Sequence, residues 1–159
     1  MALIFPQPLQ AELVAHARAE SPDEVCGILA GRAERIGRVF RVRNTADAVL
    51  AERAVFRDRD TGAPAAGRKA VHYYMDPQDQ LRVYNEIDRL DLDVVGYYHS
   101  HTHTEARPSP TDIRLASDLE AVYVLISLTD EPAVRAWRIH KPDPAAEDGE
   151  AVEVEVVDS

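Results

Sequence analysis

His99 and His101 stand one residue apart at the end of an apolar, aromatic run, with Ser109 and Asp112 close behind; the stretch reads VVGYYHSHTHTEARPSPTDI from Val94 to Ile113. Two histidines at i and i+2 on an extended segment project to the same side, so both imidazoles can reach one ion. Asp112 adds a carboxylate from the segment that follows. Two nitrogens and one carboxylate oxygen leave a fourth tetrahedral position open, the pattern of a catalytic zinc site rather than a structural one. Zinc suits these borderline donors, and iron held by two histidines and a carboxylate is the competing metal. The same residues also spell a helix start, with Ser109 as N-cap, Pro110 at the first position and Asp112 at the third. In that reading Asp112 supports its own helix, and the two roles compete for one carboxylate.

The elements that must position these groups can be read in order. Leu3-Ile4-Phe5 is a short apolar strand ending at Pro6, with the look of a sheet edge. Pro8 then opens a helix whose stripe is Leu9, Leu13 and Ala17, leaving His16 beside the stripe as a surface residue. Ser21-Pro22-Asp23 ends it. Glu24 follows at once, ahead of the compact run Val25 to Gly31, which fits a buried central strand. A carboxylate at the mouth of such a strand is either an ordinary exposed charge or part of the site. Cys26 reads as a small buried residue with nothing nearby to activate its thiol.

Arg35 to Arg43 alternates basic and apolar residues as a second strand would. Asn44 to Gly67 has little periodicity, and residues 51–69 read as a flexible insertion near the site. Val71 to Met75 is a short strand. Asp76 caps a helix with Pro77 at its first position and a stripe of Leu81, Tyr84, Ile87 and Leu90. Val94 to Tyr98 is the strand that delivers the histidines. A short helix over 110–118 and strands over 121–128, 133–140 and 152–157 complete the chain. No internal repeat or second domain is visible, so residues 1–159 form one expected domain.

Bulk properties exclude several classes. The chain has 159 residues and a net charge of −10, which argues against nucleic-acid binding because phosphate neutralisation needs a basic face. Its apolar runs fall far short of the ~20 residues that cross a bilayer, and MALIFPQPLQAE lacks the basic and apolar regions of a signal peptide. One cysteine permits no intrachain disulfide. A cytoplasmic protein with no membrane partner is expected.

His99-x-His101, then Ser109 and Asp112, with Glu24 far upstream, resembles the motif of the JAMM (MPN-plus, Mov34) metallopeptidases. HARAESPDEVCGILAG, HSHTHTEARPSPTDIRLASD and YVLIS further resemble the small bacterial members that act on ubiquitin-like sulfur-carrier proteins. The likeness runs from the first helix to the strand ending near His140. It implies an α+β fold, a mostly antiparallel curved sheet flanked by two longer helices, plus a short helix after the metal loop. It further implies that His99, His101 and Asp112 hold Zn2+, that Glu24 is the general acid/base toward zinc-bound water, and that Ser109 donates to the tetrahedral oxyanion. The implied activity is hydrolysis after the C-terminal tail of a ubiquitin-like sulfur carrier, releasing cysteine for its biosynthesis. The alternatives are a deubiquitinase-like or small-peptide hydrolase and a non-catalytic MPN interaction module. A zinc deaminase would need more cysteines than this chain has. Between the motif positions, His103 reads as a loop residue, and Arg107 is a candidate partner for a substrate carboxylate.

Overall fold

The computed structural model describes residues 2–46, 73–130 and 133–159. The expected insertion over 51–69, and residues 71–72 of the expected short strand, lie outside them. In chain order the elements are β1 (Ala2–Ile4), α1 (Gln7–Glu20), β2 (Cys26–Arg32), β3 (Arg35–Val42), α2 (Pro77–Arg89), β4 (Asp93–His101), α3 (Pro110–Leu115), β5 (Val122–Ser127), β6 (Val134–His140) and β7 (Glu150–Val157). The sheet runs β3-β2-β4-β5-β6-β7, and β1 lies against both β7 and β3. Most pairs are antiparallel; β4 with β5, and β1 with each neighbour, are parallel. This is the α+β arrangement that the resemblance implies. The first strand is not an edge, however: Leu3 pairs with Val156 and Ile4 with Arg35, so a short apolar strand closes the curve of the sheet.

One helix covers each face. Val25, just before β2, and Leu29 of β2 meet Leu13 and Ala17 of α1, whereas Cys26, Ile28 and Ala30 meet Val83 and Ile87 of α2. A strand buried on both faces has no reason to alternate, which is why Val25 to Gly31 reads as an unbroken apolar run. Val95 and Tyr98 of β4 join the α1 core, while Tyr97 packs on the α2 side. Gly96 is required by contact rather than by dihedral angle, since a Cβ there would sit 2.1 Å from the Val122 carbonyl oxygen of β5.

Two details of the helices differ from the periodic reading. On α2 the inward row is Asp79, Val83 and Ile87, and Leu81 is 62% exposed. Steps of three fall behind the 3.6-residue turn, and the i, i+4 row faces the sheet instead. Asp79 can occupy that row because its carboxylate accepts bonds from the Arg43 N–H and Nε, each at 3.0 Å. Asp76 caps the helix as expected, accepting from the Asp79 N–H at 2.9 Å. His16 is not on the surface: it is buried, with Nδ1 2.9 Å from the Tyr98 hydroxyl. Burial first, then the Arg41 charge, lowers its pKa to about 4, so it stays neutral.

Candidate metal centre

β4 presents Tyr97, His99 and His101 in alternation on the α2 side, and both histidines are buried. β2 is antiparallel to it, with Cys26 across from His99 and Gly27 across from Tyr98. Continuing that register by two residues puts Glu24 across from His101 and on the same face. Strand register thus removes the 77 positions that separate them in sequence.

Backbone bonds hold Glu24 in place. The Val25 N–H donates to Ser100 Oγ at 2.8 Å, the Ser100 N–H donates to the Val25 carbonyl at 3.0 Å, and Asn44 Nδ2 donates to the Glu24 carbonyl at 2.9 Å. The Glu24 side chain is buried. Burial pushes its carboxyl up to about 8, with the Asp112 charge acting the same way and His101 opposing.

Asp112 meets both demands that the sequence set against each other. The capping box forms: the Asp112 N–H donates to Ser109 Oγ at 3.1 Å, and the Ser109 N–H donates to Asp112 Oδ2 at 2.8 Å. That same Oδ2 lies 3.1 Å from His99 Nε2 and 3.0 Å from His101 Nε2. Capping turns the carboxylate toward the histidines rather than away from them. Burial alone would raise its pKa, but the His99 and His101 contacts outweigh that and hold it well below the usual carboxylate range.

The two imidazoles differ in their partners. His101 Nδ1 is 2.8 Å from the Glu105 carbonyl oxygen, which only accepts, so Nδ1 carries the proton and Nε2 points at Asp112. Burial disfavours a charged His101 ring, yet the Asp112 hydrogen bond and charge and the Glu105 carbonyl prevail, and its pKa is raised. His99 is stacked beneath Tyr73, ring centroids 4.3 Å apart. Its Nε2 is buried and, despite the short contact to Asp112, has no hydrogen-bond partner of acceptable geometry among the described residues.

An orphaned imidazole nitrogen beside a carboxylate and a second imidazole suits a divalent metal. Tetrahedral zinc with bonds of ~2.0–2.1 Å sets its ligand atoms ~3.3 Å apart, near the 3.0 and 3.1 Å found between Asp112 and the histidines. Ligand atoms of Glu24, His99 and His101 also fall within 4.8 Å of one another, so Glu24 borders the same space.

His103 is exposed and apart from this group. Arg107 is exposed too, its guanidinium 5.3 Å over the Trp137 ring. Ser100, Asn44 and Tyr73 do not stand out in the sequence. Ser100 carries a signal all the same, since a polar residue between two inward histidines points to the opposite, covered face. Asn44 carries none, because its partner is 20 residues away.

Comparison with known proteins agrees with this geometry. A family model described as prokaryotic homologs of the JAB domain matches residues 6–140. The CysO-cysteine peptidase of Mycobacterium tuberculosis is 35% identical over 139 residues, covering 86% of this chain and 82% of the relative. The desampylase of Haloferax volcanii is 30% identical over 129 residues, covering 79% of this chain and 80% of the relative. The crystal structure of a JAB1/MPN domain protein from Archaeoglobus fulgidus shares the fold, with a TM-score of 0.54 at 17% identity over 98% of this chain and 97% of that one. With two histidines and two carboxylates gathered on one sheet face, the chain belongs to the prokaryotic JAB-domain family and is a metallopeptidase of the JAMM type.

Proposed function

We propose that this protein is a zinc peptidase that hydrolyses the amide bond after the C-terminal tail of a ubiquitin-like sulfur-carrier protein and releases cysteine. The observation that carries the reading is the convergence of Glu24 with His99, His101 and Asp112 across the β2–β4 pair. His99, His101 and Asp112 would hold the metal, which when bound supplies Lewis acidity toward water and the scissile carbonyl.

The chain's own residues do the rest. Glu24 accepts a proton from the attacking water and returns it to the departing amine, so the cleaved bond yields a carboxylate and a free amine. Burial raises the Glu24 carboxyl above the ordinary glutamate range, which helps it hold the proton between the two transfers. Ser109 Oγ accepts the Asp112 N–H, which leaves the hydroxyl proton to be donated to the oxyanion that develops on the carbonyl. His101 is oriented by the Glu105 carbonyl and His99 by the Tyr73 ring. The cysteine product is supported by the 35% identity to a CysO-cysteine peptidase, and an enzyme releasing that product would serve cysteine biosynthesis. No described helix is long and apolar enough to cross a membrane.

The test compares two substrates: a carrier ending in Gly-Gly joined to the α-amine of cysteine, and the same carrier joined to a lysine ε-amine. Free cysteine released by the zinc-loaded protein, and abolished by a chelator, is the expected result. Cleavage of the lysine conjugate alone would make the chain a desampylase-like isopeptidase. Cleavage of neither would overturn the reading.

A further inference from the structure

The segment between His101 and Ser109 has no helix or strand, yet its backbone supplies the acceptor for His101 Nδ1. That acceptor is the carbonyl of the Glu105–Ala106 peptide. The N–H of the same peptide donates to Asp130 Oδ2 at 2.8 Å. A trans peptide is planar, with its N–H and C=O pointing in opposite directions, so fixing one end aims the other. Asp130 and His101 therefore grip a single rigid unit from its two sides.

The surroundings fix that unit further. The Trp137 indole N–H donates to the Ala106 carbonyl at 2.9 Å, and Ala106 is fully buried against Leu125 and Trp137. Ser127 Oγ and Thr129 Oγ1 donate to the Thr104 carbonyl at 2.7 and 3.1 Å. Arg135 lies over the Trp137 ring, bonds Glu153 at 2.8 Å and approaches Asp130 at 3.9 Å.

We infer that Asp130 is a positioning residue of the metal centre, acting on His101 through the Glu105–Ala106 peptide. Metal-binding histidines commonly donate their second ring N–H to a carboxylate or a carbonyl, which fixes the ring and raises its basicity. Here a carboxylate and a carbonyl act in series. The anionic acceptor polarises the peptide, and the polarised carbonyl strengthens its bond to His101 Nδ1. The inference rests on the reading of His101 as a ligand, but its hydrogen-bond chain is present without any metal.

Two readouts in Asp130→Ala and Asp130→Asn test it: zinc affinity in competition with a chromogenic chelator, and the His101 Nδ1–H proton resonance of the metal-free protein. Asp130→Ala should weaken zinc ~10–100-fold, as loss of outer partners of metal ligands does, and should broaden or erase the resonance. Asp130→Asn, which keeps an acceptor but not the charge, should fall between it and the parent. Glu153→Gln, which disturbs the same surface through Arg135 alone, should match the parent in both. Parent-like zinc affinity and an unchanged resonance in Asp130→Ala would overturn the inference. So would an equal loss in Glu153→Gln. A parent that binds no zinc would defeat the metal reading instead, and the resonance would still decide the role of Asp130.

Discussion

Replacing Glu24 by glutamine should change how the stability of the metal-free protein depends on pH. The carboxyl sits in the fold with its pKa raised from 4.5 to about 8, chiefly by burial. A group whose folded pKa is raised contributes stability that is complete below its unfolded pKa and is lost as pH climbs through the folded one. Between pH 4.5 and pH 8 the parent should therefore lose up to about 5 kcal/mol from this group, at ~1.4 kcal/mol per pH unit. For a domain of this size that corresponds to roughly 10–20 °C in Tm. The glutamine amide does not titrate, and the variant escapes the loss. His101, also raised, adds a fall of its own above its unfolded pKa of 6.5, and because the Glu24 charge is one cause of that shift, part of this fall is also absent from the variant. Asp112, held low, contributes stability that is present above the usual carboxylate range and disappears only in acid. Melting curves of parent and variant from pH 5 to pH 9 should diverge steadily, the variant being the more stable at pH 9. Added zinc should narrow the gap, since a cation beside Glu24 favours its charged form. Parallel curves across that range would refute the picture of a carboxyl buried in its neutral form.

Three further substitutions separate the parts of the site. Ser109→Ala should cost ~1 kcal/mol in thermal unfolding through the lost cap and ~10²–10³ in kcat through the lost oxyanion donor. Zinc affinity should hold, because the backbone N–H that anchors Asp112 remains. Ser100→Ala strands the buried Val25 N–H, for a loss of ~1–3 kcal/mol, and should lower kcat more than zinc affinity because Glu24 loses its brace. Gly96→Val drives a side chain into the Val122 carbonyl, 2.1 Å from the position of a Cβ. It should destabilise the fold by ~3 kcal/mol or more in chemical denaturation.

Much of the fold was legible because burial on one or both faces leaves a pattern. The apolar run at Val25 to Gly31, the Asp76-Pro77 start and the strand entering His99 each reflect a local rule. What escaped depends on partners distant in sequence. Leu3 to Phe5 looks like an edge until β7 supplies its neighbour from the far end of the chain. His16 looks like a surface residue until Tyr98, 82 positions later, gives it a buried partner. Asp79 takes an inward row on α2 because Arg43 neutralises it there, and that pairing leaves no periodic trace.

The candidate site followed the same division. The residue types at 99, 101, 109 and 112 announce metal chemistry by spacing, whereas the conflict over Asp112 could be settled only in three dimensions. Capping and the approach to the histidines use the same oxygen, so the helix start aims the carboxylate. The peptide gripped between Asp130 and His101 was invisible in the sequence, because main-chain groups carry no residue code.

In the proposed mechanism Glu24 moves the proton while His99, His101 and Asp112 hold the metal. Zinc content and hydrolysis of the carrier–cysteine adduct, read on one preparation of Glu24→Gln, test it most directly. The variant should carry one zinc per chain, as in the parent, with hydrolysis reduced at least ~10²-fold, the range expected for a lost general acid–base group. Zinc lost together with activity would make Glu24 a ligand, and hydrolysis at the parental rate with zinc in place would remove it from the mechanism.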